Sequence, residues 1–268
     1  MDLRDRLDFA VGTARAAGDY ALPRFREIEG LTVEAKGHQD LVSDADRATE
    51  DLIRDRITRA FPDDGIVGEE RDRVTGTTGY DWVIDPIDGT ANFVRGIPQW
   101  CVSIACAKDG VPVVGAIFEP CSGEAFRAAR GLGAFVGDRR LRVASATSLA
   151  SGSVGAGVSS HTGVETAVRM VRGIMEPGGL FFRNASGALT LAYVAAGRLL
   201  GHVEPYMNAW DCYAAMVMIE EAGGRLRPVD TATAMERGTA IVAGAPGVFA
   251  EIERIADTLW DGGSAPQR

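Results

Sequence analysis

Cysteine is scarce in this chain, and neither an export signal nor a membrane span is recognisable in it. The 268 residues include four cysteines and no CxxC pair, which excludes a disulfide scaffold and a structural zinc site of the usual spacing. The charged opening segment MDLRDRLDFA lacks the apolar stretch of a signal peptide. The longest uncharged run, residues 143–164, is too rich in Ser, Gly, Ala and Thr to sit in lipid. We therefore expect a cytoplasmic protein in a reducing compartment, with no membrane partner.

Positive charge is also scarce. The chain has 28 Lys and Arg residues against 37 Asp and Glu residues, a net charge of −9, and no cluster of basic residues. Nucleic-acid-binding proteins usually carry a basic patch, so we expect no nucleic-acid partner. The same negative balance would repel a phosphorylated metabolite unless cations intervene.

The remaining composition is that of an ordinary folded protein. Hydrophobic residues make up 46% of the chain and charged residues 24%, which excludes disorder as the main state. The 33 glycines exceed the usual share and indicate many turns. The length suits one large domain or two fused halves.

Apolar periodicity predicts helices followed by a sheet in the first half. One amphipathic helix is predicted over residues 3–21, and a second from about Ser43 or Asp44 to the stop signal FPDDG at residues 61–65. Short β-type segments separated by Gly-containing turns then follow over residues 80–143. They predict a largely antiparallel sheet.

A small, polar segment, residues 144–153, marks a predicted boundary. It divides a helix-plus-antiparallel-sheet part, residues 1–145, from a second part, residues 146–268. Strand-like and helical segments alternate in the second part up to a closing helix over 248–259, and such alternation is typical of an α/β layer. We expect an α/β (α+β) layered sandwich in which helix and sheet layers alternate, with the active site between the two parts.

The most informative motif is Asp85-Pro86-Ile87-Asp88-Gly89-Thr90, which follows an apolar strand. It combines two carboxylates, which bind hard cations such as Mg²⁺, with a tight turn and a possible helix start at Thr90. Helix N-terminal N–H groups bind phosphate, so the combination indicates phosphoryl transfer. The same residue types are common turn formers, and the motif alone leaves a simple turn open.

Two further acidic segments bear on this interpretation. Gly68-Glu69-Glu70 follows the apolar pair Ile66-Val67, and Trp210-Asp211 begins an apolar helix that ends in Glu221-Ala222-Gly223-Gly224. Taken alone, Glu69 and Glu70 fit a solvated pair of surface acids. Asp211 alone fits a helix-start acid favoured by the macrodipole.

Together the motifs resemble the inositol monophosphatase family over nearly the whole chain, from about Arg4 to Leu259. The resemblance rests on the following elements in this order: Lys36 with Asp40-Leu41-Val42-Ser43-x-x-Asp46, Gly68-Glu69-Glu70, Trp82-x-x-Asp85-Pro86-Ile87-Asp88-Gly89-Thr90-x-Asn92-Phe93, and Trp210-Asp211-x-x-Ala214 with Glu221-Ala222-Gly223-Gly224. It implies the layered fold shared by inositol monophosphatases and fructose-1,6-bisphosphatases, and a homodimer. It also implies Mg²⁺-dependent, lithium-sensitive hydrolysis of a small phosphate monoester.

The resemblance implies two or three Mg²⁺ ions per site. Glu69, Asp85 and the carbonyl of Ile87 would hold the first, and Asp85, Asp88 and Asp211 the second. Glu69 would also hold a weaker third ion through water. Bound cations would lower the pKa of a water molecule and would let a protein of net charge −9 accept a phosphate ester.

The resemblance also implies catalytic and substrate-binding roles. Thr90, paired with Asp46, would orient or help deprotonate the attacking water, and Glu69 acts with them through the metals. The expected substrate-binding residues are Asp88, Gly89, Thr90, Ala185, Ser186, Gly187 and Glu204. Asn184 departs from the apolar residue usual in the family. Glu204 fits a surface glutamate as well, and His202, Tyr206 and Asn208 are expected to be ordinary loop residues.

The substrate is less well defined than the chemistry. Inositol 1-phosphate is the leading candidate, because Ala91-Asn92-Phe93 after the DGT element resembles the inositol branch more than the enzymes that act on 3′-phosphoadenosine 5′-phosphate. That substrate, histidinol phosphate and fructose 1,6-bisphosphate remain alternatives. A non-catalytic regulatory binding protein on the same fold is the alternative of a different class, and the full ligand set disfavours it.

Overall fold

The structure is a computed structural model that describes residues 2–27, 32–37, 40–159 and 161–259. The side chains of Lys36, Asp40 and Leu41, which belong to the first motif, lie outside the described part. The helices are α1 Leu3–Arg26, α2 Asp44–Ala60, α3 Thr90–Phe93, α4 Val164–Met175, α5 Gly187–Ala195, α6 Ala209–Glu221, α7 Thr231–Arg237 and α8 Phe249–Leu259. The strands are β1 Val33–Gly37, β2 Asp40–Ser43, β3 Gly65–Gly68, β4 Tyr80–Asp88, β5 Cys101–Lys108, β6 Val111–Glu119, β7 Glu124–Ala129, β8 Gly133–Val136, β9 Arg139–Arg140, β10 Ser153–Ala156, β11 Leu180–Phe182, β12 Gly201–Met207, β13 Arg225–Leu226 and β14 Thr239–Gly244.

Two sheets carry the fold. The first has seven strands in the order β3-β4-β5-β6-β7-β8-β9; β3 runs parallel to β4, and the other neighbours are antiparallel. The second has five strands in the order β11-β10-β12-β14-β13. In it β10 is parallel to β11 and β12, while β14 is antiparallel to β12 and β13. Strands β1 and β2 form a separate antiparallel pair.

The seven-stranded sheet buries both of its faces, because successive side chains along a strand point to opposite sides. In β5, Val102 and Ile104 pack in one core with α1 and α2. Their neighbours Cys101 and Ala105 pack in a second core with α5 and α6. Strand β5 is therefore buried continuously over residues 101–107 rather than at alternate positions.

The five-stranded sheet is covered in the same way. Val154 and Val203 pack with Ile174 of α4 and Ile252 of α8. On the opposite face, Ala243 of β14 joins the core that contains α5 and α6. The layers therefore run α1 and α2, seven-stranded sheet, α5 and α6, five-stranded sheet, α4 and α8. This alternation confirms the predicted layered sandwich.

Most predicted elements are present, with differences that have local causes. The strand predicted before the DPIDGT motif continues to Asp88 as β4, because the chain pairs again with β5 after a bulge. The sheet ends at β9, so residues 141–143 are not part of it. The β1–β2 pair, β13 and α7 were not predicted; each is short and carries little periodicity. The predicted division at residue 145 falls between the two sheets and stays a prediction about domains.

Helices of the described ranges are either too short or too polar to cross a lipid bilayer.

Candidate active site

The DPIDGT motif lies at a bulge between β4 and β5. The pairing register shifts between Asp85 and Asp88, and both carboxylates are buried. The backbone N–H of Ile87 donates to Asp85 Oδ1 at 3.0 Å. Bulges redirect side chains, and this one aims two acids three residues apart at a common point.

The N-terminus of helix α5 lies against the Asp88 carboxylate. Its N-cap residue Ser186 donates a hydroxyl hydrogen bond to Asp88 Oδ2 at 2.5 Å, and Ala188 N–H donates to the same oxygen at 2.8 Å. Gly187 N–H donates to Asp88 Oδ1 at 3.2 Å. The unpaired N–H groups of a helix N-terminus stabilise an anion, so α5 holds this carboxylate in place.

Asp211 reaches the same point from the first turn of α6. Its Oδ2 accepts the backbone N–H of Asn208 at 2.9 Å, in a capping box that ends β12 and starts the helix. The helix-start role and the functional role considered for Asp211 are therefore compatible. One carboxylate oxygen caps α6, and the side chain faces the acids of β4.

Asp85, Asp88 and Asp211 form a compact group whose ligand oxygens lie within 4.8 Å of one another. Within the described ranges, no Lys or Arg forms an ion pair with any of them. Burial, and then the charges of Glu69 and the other acids, raise the pKa of Asp85 well above its ordinary value. Burial also raises the pKa of Asp88, and burial with the charge of Asp88 raises that of Asp211 to about 8.

Such a group fits a hard divalent cation. The carboxylates of buried Asp85 and Asp88 and half-buried Asp211 repel one another, and a bound cation is what allows all three to be ionised together. Oxygen donors of this kind are the ligands of Mg²⁺. The donor chemistry therefore agrees with the metal that the motif predicts.

Glu69 and Ile87 lie beside this group. Glu69 is half-buried directly after β3, and its charge acts on Asp85. Ile87 is fully buried, and its carbonyl oxygen lies 3.1 Å from the Thr90 hydroxyl oxygen. The compact group thus contains three of the five predicted metal ligands, with the other two next to it.

Thr90 and Asp46 are in contact, as the resemblance implies. The Thr90 hydroxyl lies 2.9 Å from Asp46 Oδ1. Asp46 is fully buried in the first turn of α2, where Ser43 donates to it through both its N–H, at 2.9 Å, and its hydroxyl, at 2.5 Å. Burial raises the pKa of Asp46. Gly89, which precedes Thr90, has a φ of 100°, a conformation that favours glycine.

A cavity of about 190 Å³ opens next to the carboxylates. Its wall includes Asp88 and Asp211. It also includes the four residues outside the motif that are predicted to contact the substrate: Ala185, Ser186, Gly187 and Glu204. Ser186 is almost fully buried, and its hydroxyl is directed at Asp88. Ala185 adopts a φ of 60°, in the left-handed region.

The expectation that His202 is an ordinary loop residue is wrong. His202 lies within β12, is 1% exposed, and places Nε2 3.0 Å from Glu204 Oε2. Tyr206 also lies in β12, where its ring contacts that of His161, and Asn208 caps α6. Side chains alternate along a strand, so His202 and Glu204 lie on one face of β12. A predicted strand that includes residue 204 already implied this arrangement.

Sequence reasoning also missed Glu50. This side chain of α2 is fully buried, accepts the backbone N–H of Glu70 at 2.8 Å, and pairs with Arg54 at 2.7 Å. It fits there because Gly68 has no side chain. Glu50 thereby anchors the segment that carries Glu69. The spacing of Glu50 and Arg54 on one helix face was the available signal.

Three comparisons relate this chain to known proteins. The model of the inositol monophosphatase family matches residues 2–262. An inositol-1-monophosphatase of Mesorhizobium japonicum is 40% identical over 243 residues, covering 89% of this chain and 91% of that protein. A protein of Xylella fastidiosa named Nus factor SuhB is 38% identical over 220 residues, 81% of this chain and 80% of its own length. The crystal structure of the extragenic suppressor protein suhB from Bartonella henselae superposes with a TM-score of 0.89 at 34% identity, covering 96% of this chain and 99% of that one.

Proposed function

Because this chain belongs to the inositol monophosphatase family, we propose that it is a Mg²⁺-dependent phosphatase that hydrolyses a small phosphate monoester, with inositol 1-phosphate as the leading substrate. The family assignment made from the sequence motifs is confirmed. The observation that carries the proposed activity is the compact group of three carboxylates beside the Thr90–Asp46 pair.

In this proposal, Asp85, Asp88 and Asp211 hold Mg²⁺ together with Glu69 and the Ile87 carbonyl. When bound, Mg²⁺ supplies positive charge that offsets the phosphate and lowers the pKa of a coordinated water. The N–H groups that begin α3, at Gly89 and Thr90, lack intrahelical partners and donate to phosphate oxygens.

Thr90 and Asp46 orient the attacking water. The Thr90 hydroxyl can donate its proton to Asp46, which leaves its oxygen as an acceptor for a water hydrogen. The raised pKa of Asp46 makes it a better proton acceptor than an exposed aspartate. The motif contains no Ser, Cys or His nucleophile, so hydrolysis proceeds by direct attack of water.

Inositol 1-phosphate is supported by the cavity and by the relatives. The cavity of about 190 Å³ is lined by polar groups, and Glu204 is available there to accept hydrogen bonds from ring hydroxyls. The relative from Mesorhizobium japonicum is named inositol-1-monophosphatase. Histidinol phosphate, fructose 1,6-bisphosphate and 3′-phosphoadenosine 5′-phosphate remain alternatives that use the same metal centre.

The test is phosphate release from those four esters at fixed Mg²⁺, with EDTA and Li⁺ as controls. We expect fast hydrolysis of inositol 1-phosphate that EDTA abolishes and Li⁺ weakens. In Asp88→Asn and Asp211→Asn, turnover falls by about a hundredfold or more, since each change removes a charged metal ligand. The matched control is Asp109→Asn on the exposed β5–β6 turn, which keeps the wild-type rate.

Each other outcome has a defined meaning. Preference for another ester keeps the mechanism and changes the substrate. Near-normal turnover of both active-site variants at saturating Mg²⁺ contradicts the site assignment. Complete absence of metal-dependent turnover favours a non-catalytic binding protein, a class raised by relatives named Nus factor SuhB.

A further inference from the structure

Two glycines, Gly155 and Gly157, leave space for side chains beside the cavity. Gly155 lies in β10 and pairs with His202 of β12, and Gly157 follows the end of β10 with its N–H donating to the Val203 carbonyl at 2.9 Å. A Cβ on Gly155 would lie 2.5 Å from His202 Nδ1, and one on Gly157 would overlap the Glu204 carboxylate. The absence of side chains at Gly155 and Gly157 therefore leaves room for His202 and Glu204.

His202 forms a hydrogen bond with Glu204. Its Nε2 lies 3.0 Å from Glu204 Oε2, while Nδ1 has no hydrogen-bond partner among the residues that the structure describes. A neutral imidazole carries one N–H and one lone pair. The tautomer with hydrogen on Nε2 donates to the carboxylate and leaves only a bare lone pair at Nδ1. The other tautomer would bury an unpaired N–H and face a lone pair towards Glu204, which is costly.

Glu204 is thereby held as an acceptor in the cavity wall. Its carboxylate lines the cavity with Asp88 and Asp211, and its charge reaches Asp211. An ionised carboxylate offers more acceptor sites than one imidazole N–H can occupy. With Oε2 fixed by His202, the other acceptor sites of the Glu204 carboxylate are available in the cavity to hydroxyl groups of a ligand.

We propose that His202 is a positioning residue that fixes the Glu204 carboxylate in the cavity wall, where it meets substrate hydroxyl groups. The proposal rests on the proposed phosphatase function and adds a residue that determines its substrate specificity. His202 does not contact the reacting phosphate in this scheme. It acts through Glu204.

The test compares two esters that share the phosphate but differ in hydroxyl groups: inositol 1-phosphate and 4-nitrophenyl phosphate. In His202→Phe, the ratio of kcat/KM for inositol 1-phosphate to that for 4-nitrophenyl phosphate falls about tenfold, mainly through the KM for inositol 1-phosphate. His202→Gln keeps an N–H donor and restores part of the ratio. In a Glu204→Gln background, adding His202→Phe changes the ratio no further.

A spectroscopic measurement tests the contact without turnover. The chain has three histidines, so ¹⁵N signals of its imidazole rings can be assigned with His202→Phe. We expect the Nε2–H tautomer for His202 in the wild type and a changed signal in Glu204→Gln.

Several results would overturn the proposal. Equal losses on both esters together with a lower Tm would make His202 merely structural. An additive effect in the Glu204→Gln background, or an Nδ1–H tautomer, would remove its link to Glu204. If the wild type hydrolyses neither these two esters nor the other candidate substrates with Mg²⁺, the proposed function fails, and the positioning role fails with it whatever the imidazole signals show.

Discussion

At the scale of single residues, Asp85, Asp88 and Asp211 are the most informative groups. Each accepts hydrogen bonds, yet each has a raised pKa, because burial outweighs those bonds, and at Asp85 and Asp211 the charges of neighbouring acids add to it. The hydrogen bonds therefore position the acids, and a bound cation would favour their ionised forms.

This pKa pattern predicts how the stability of the metal-free protein depends on pH. The ordinary pKa of an aspartate is 3.8, and that of Asp211 in the folded state is about 8. Above pH 3.8 the unfolded chain releases this proton while the folded chain retains it, so stability falls as pH rises and continues to fall through about pH 8. In EDTA we expect Tm to decline across this range.

Measuring Tm against pH in Mg²⁺ tests whether these carboxylates cause the decline. Since the bound ion requires ionised carboxylates, the increase in Tm on adding Mg²⁺ grows with pH. Asp211→Asn, which cannot ionise, shows a flatter decline in EDTA. An equal slope in wild type and variant would contradict the assignment.

At the scale of elements, α6 reaches the active site by packing closely on β6. Gly115 of β6 has no side chain, and a Cβ there would overlap the Ala214 carbonyl on α6. Helix backbone thus lies directly against strand backbone. The close approach sets the depth of Asp211, which lies in the first turn of the same helix.

Gly115→Ala is therefore expected to lower the free energy of unfolding by about 3 kcal/mol, because the backbone it meets cannot move aside. Turnover also falls, since α6 carries Asp211. Denaturant unfolding and phosphate release measure the two effects.

The matched control is the same change in α1. Gly12 is exposed, and a Cβ there meets nothing within 4 Å. Gly12→Ala should raise the free energy of unfolding by about 1 kcal/mol through helix propensity. Destabilisation by both variants, or by neither, would contradict the close packing of α6 on β6.

At the scale of the whole molecule, the central helix layer joins the two halves. Helices α5 and α6 lie in one core with residues of both sheets, from Val83 and Phe126 in the first to Ile241 and Ala243 in the second. The predicted boundary at residue 145 separates the sheets along the chain, but this core crosses it.

A fragment of residues 1–145 should therefore not fold alone. It would contain the seven-stranded sheet and lack α5 and α6, leaving one apolar face exposed to water. We expect no cooperative thermal transition by circular dichroism, and a single coincident transition for the full chain. Cooperative unfolding of the fragment would make the first half an independent domain.

Local features of the sequence determined much of the fold and the chemistry. Helix period, strand alternation and turn residues are short-range signals, so α4, the β5–β6 hairpin and the cap at Ser43 could be predicted. The motif residues carry their chemistry in their side chains, so a divalent-cation site for phosphate ester hydrolysis could be predicted as well.

The tertiary structure alone decided which distant groups meet. The contacts of α5 with Asp88, of Glu50 with the segment of Glu69, and of Gly157 with Glu204 depend on how the elements pack. No local period encodes such contacts. They need the space left by absent side chains: Gly68 and Gly157 make room for the Glu50 and Glu204 side chains, and Gly115 lets the backbone of α6 approach β6. The sequence determined what each residue can do, and the packing of the layers decided with which partner it does so.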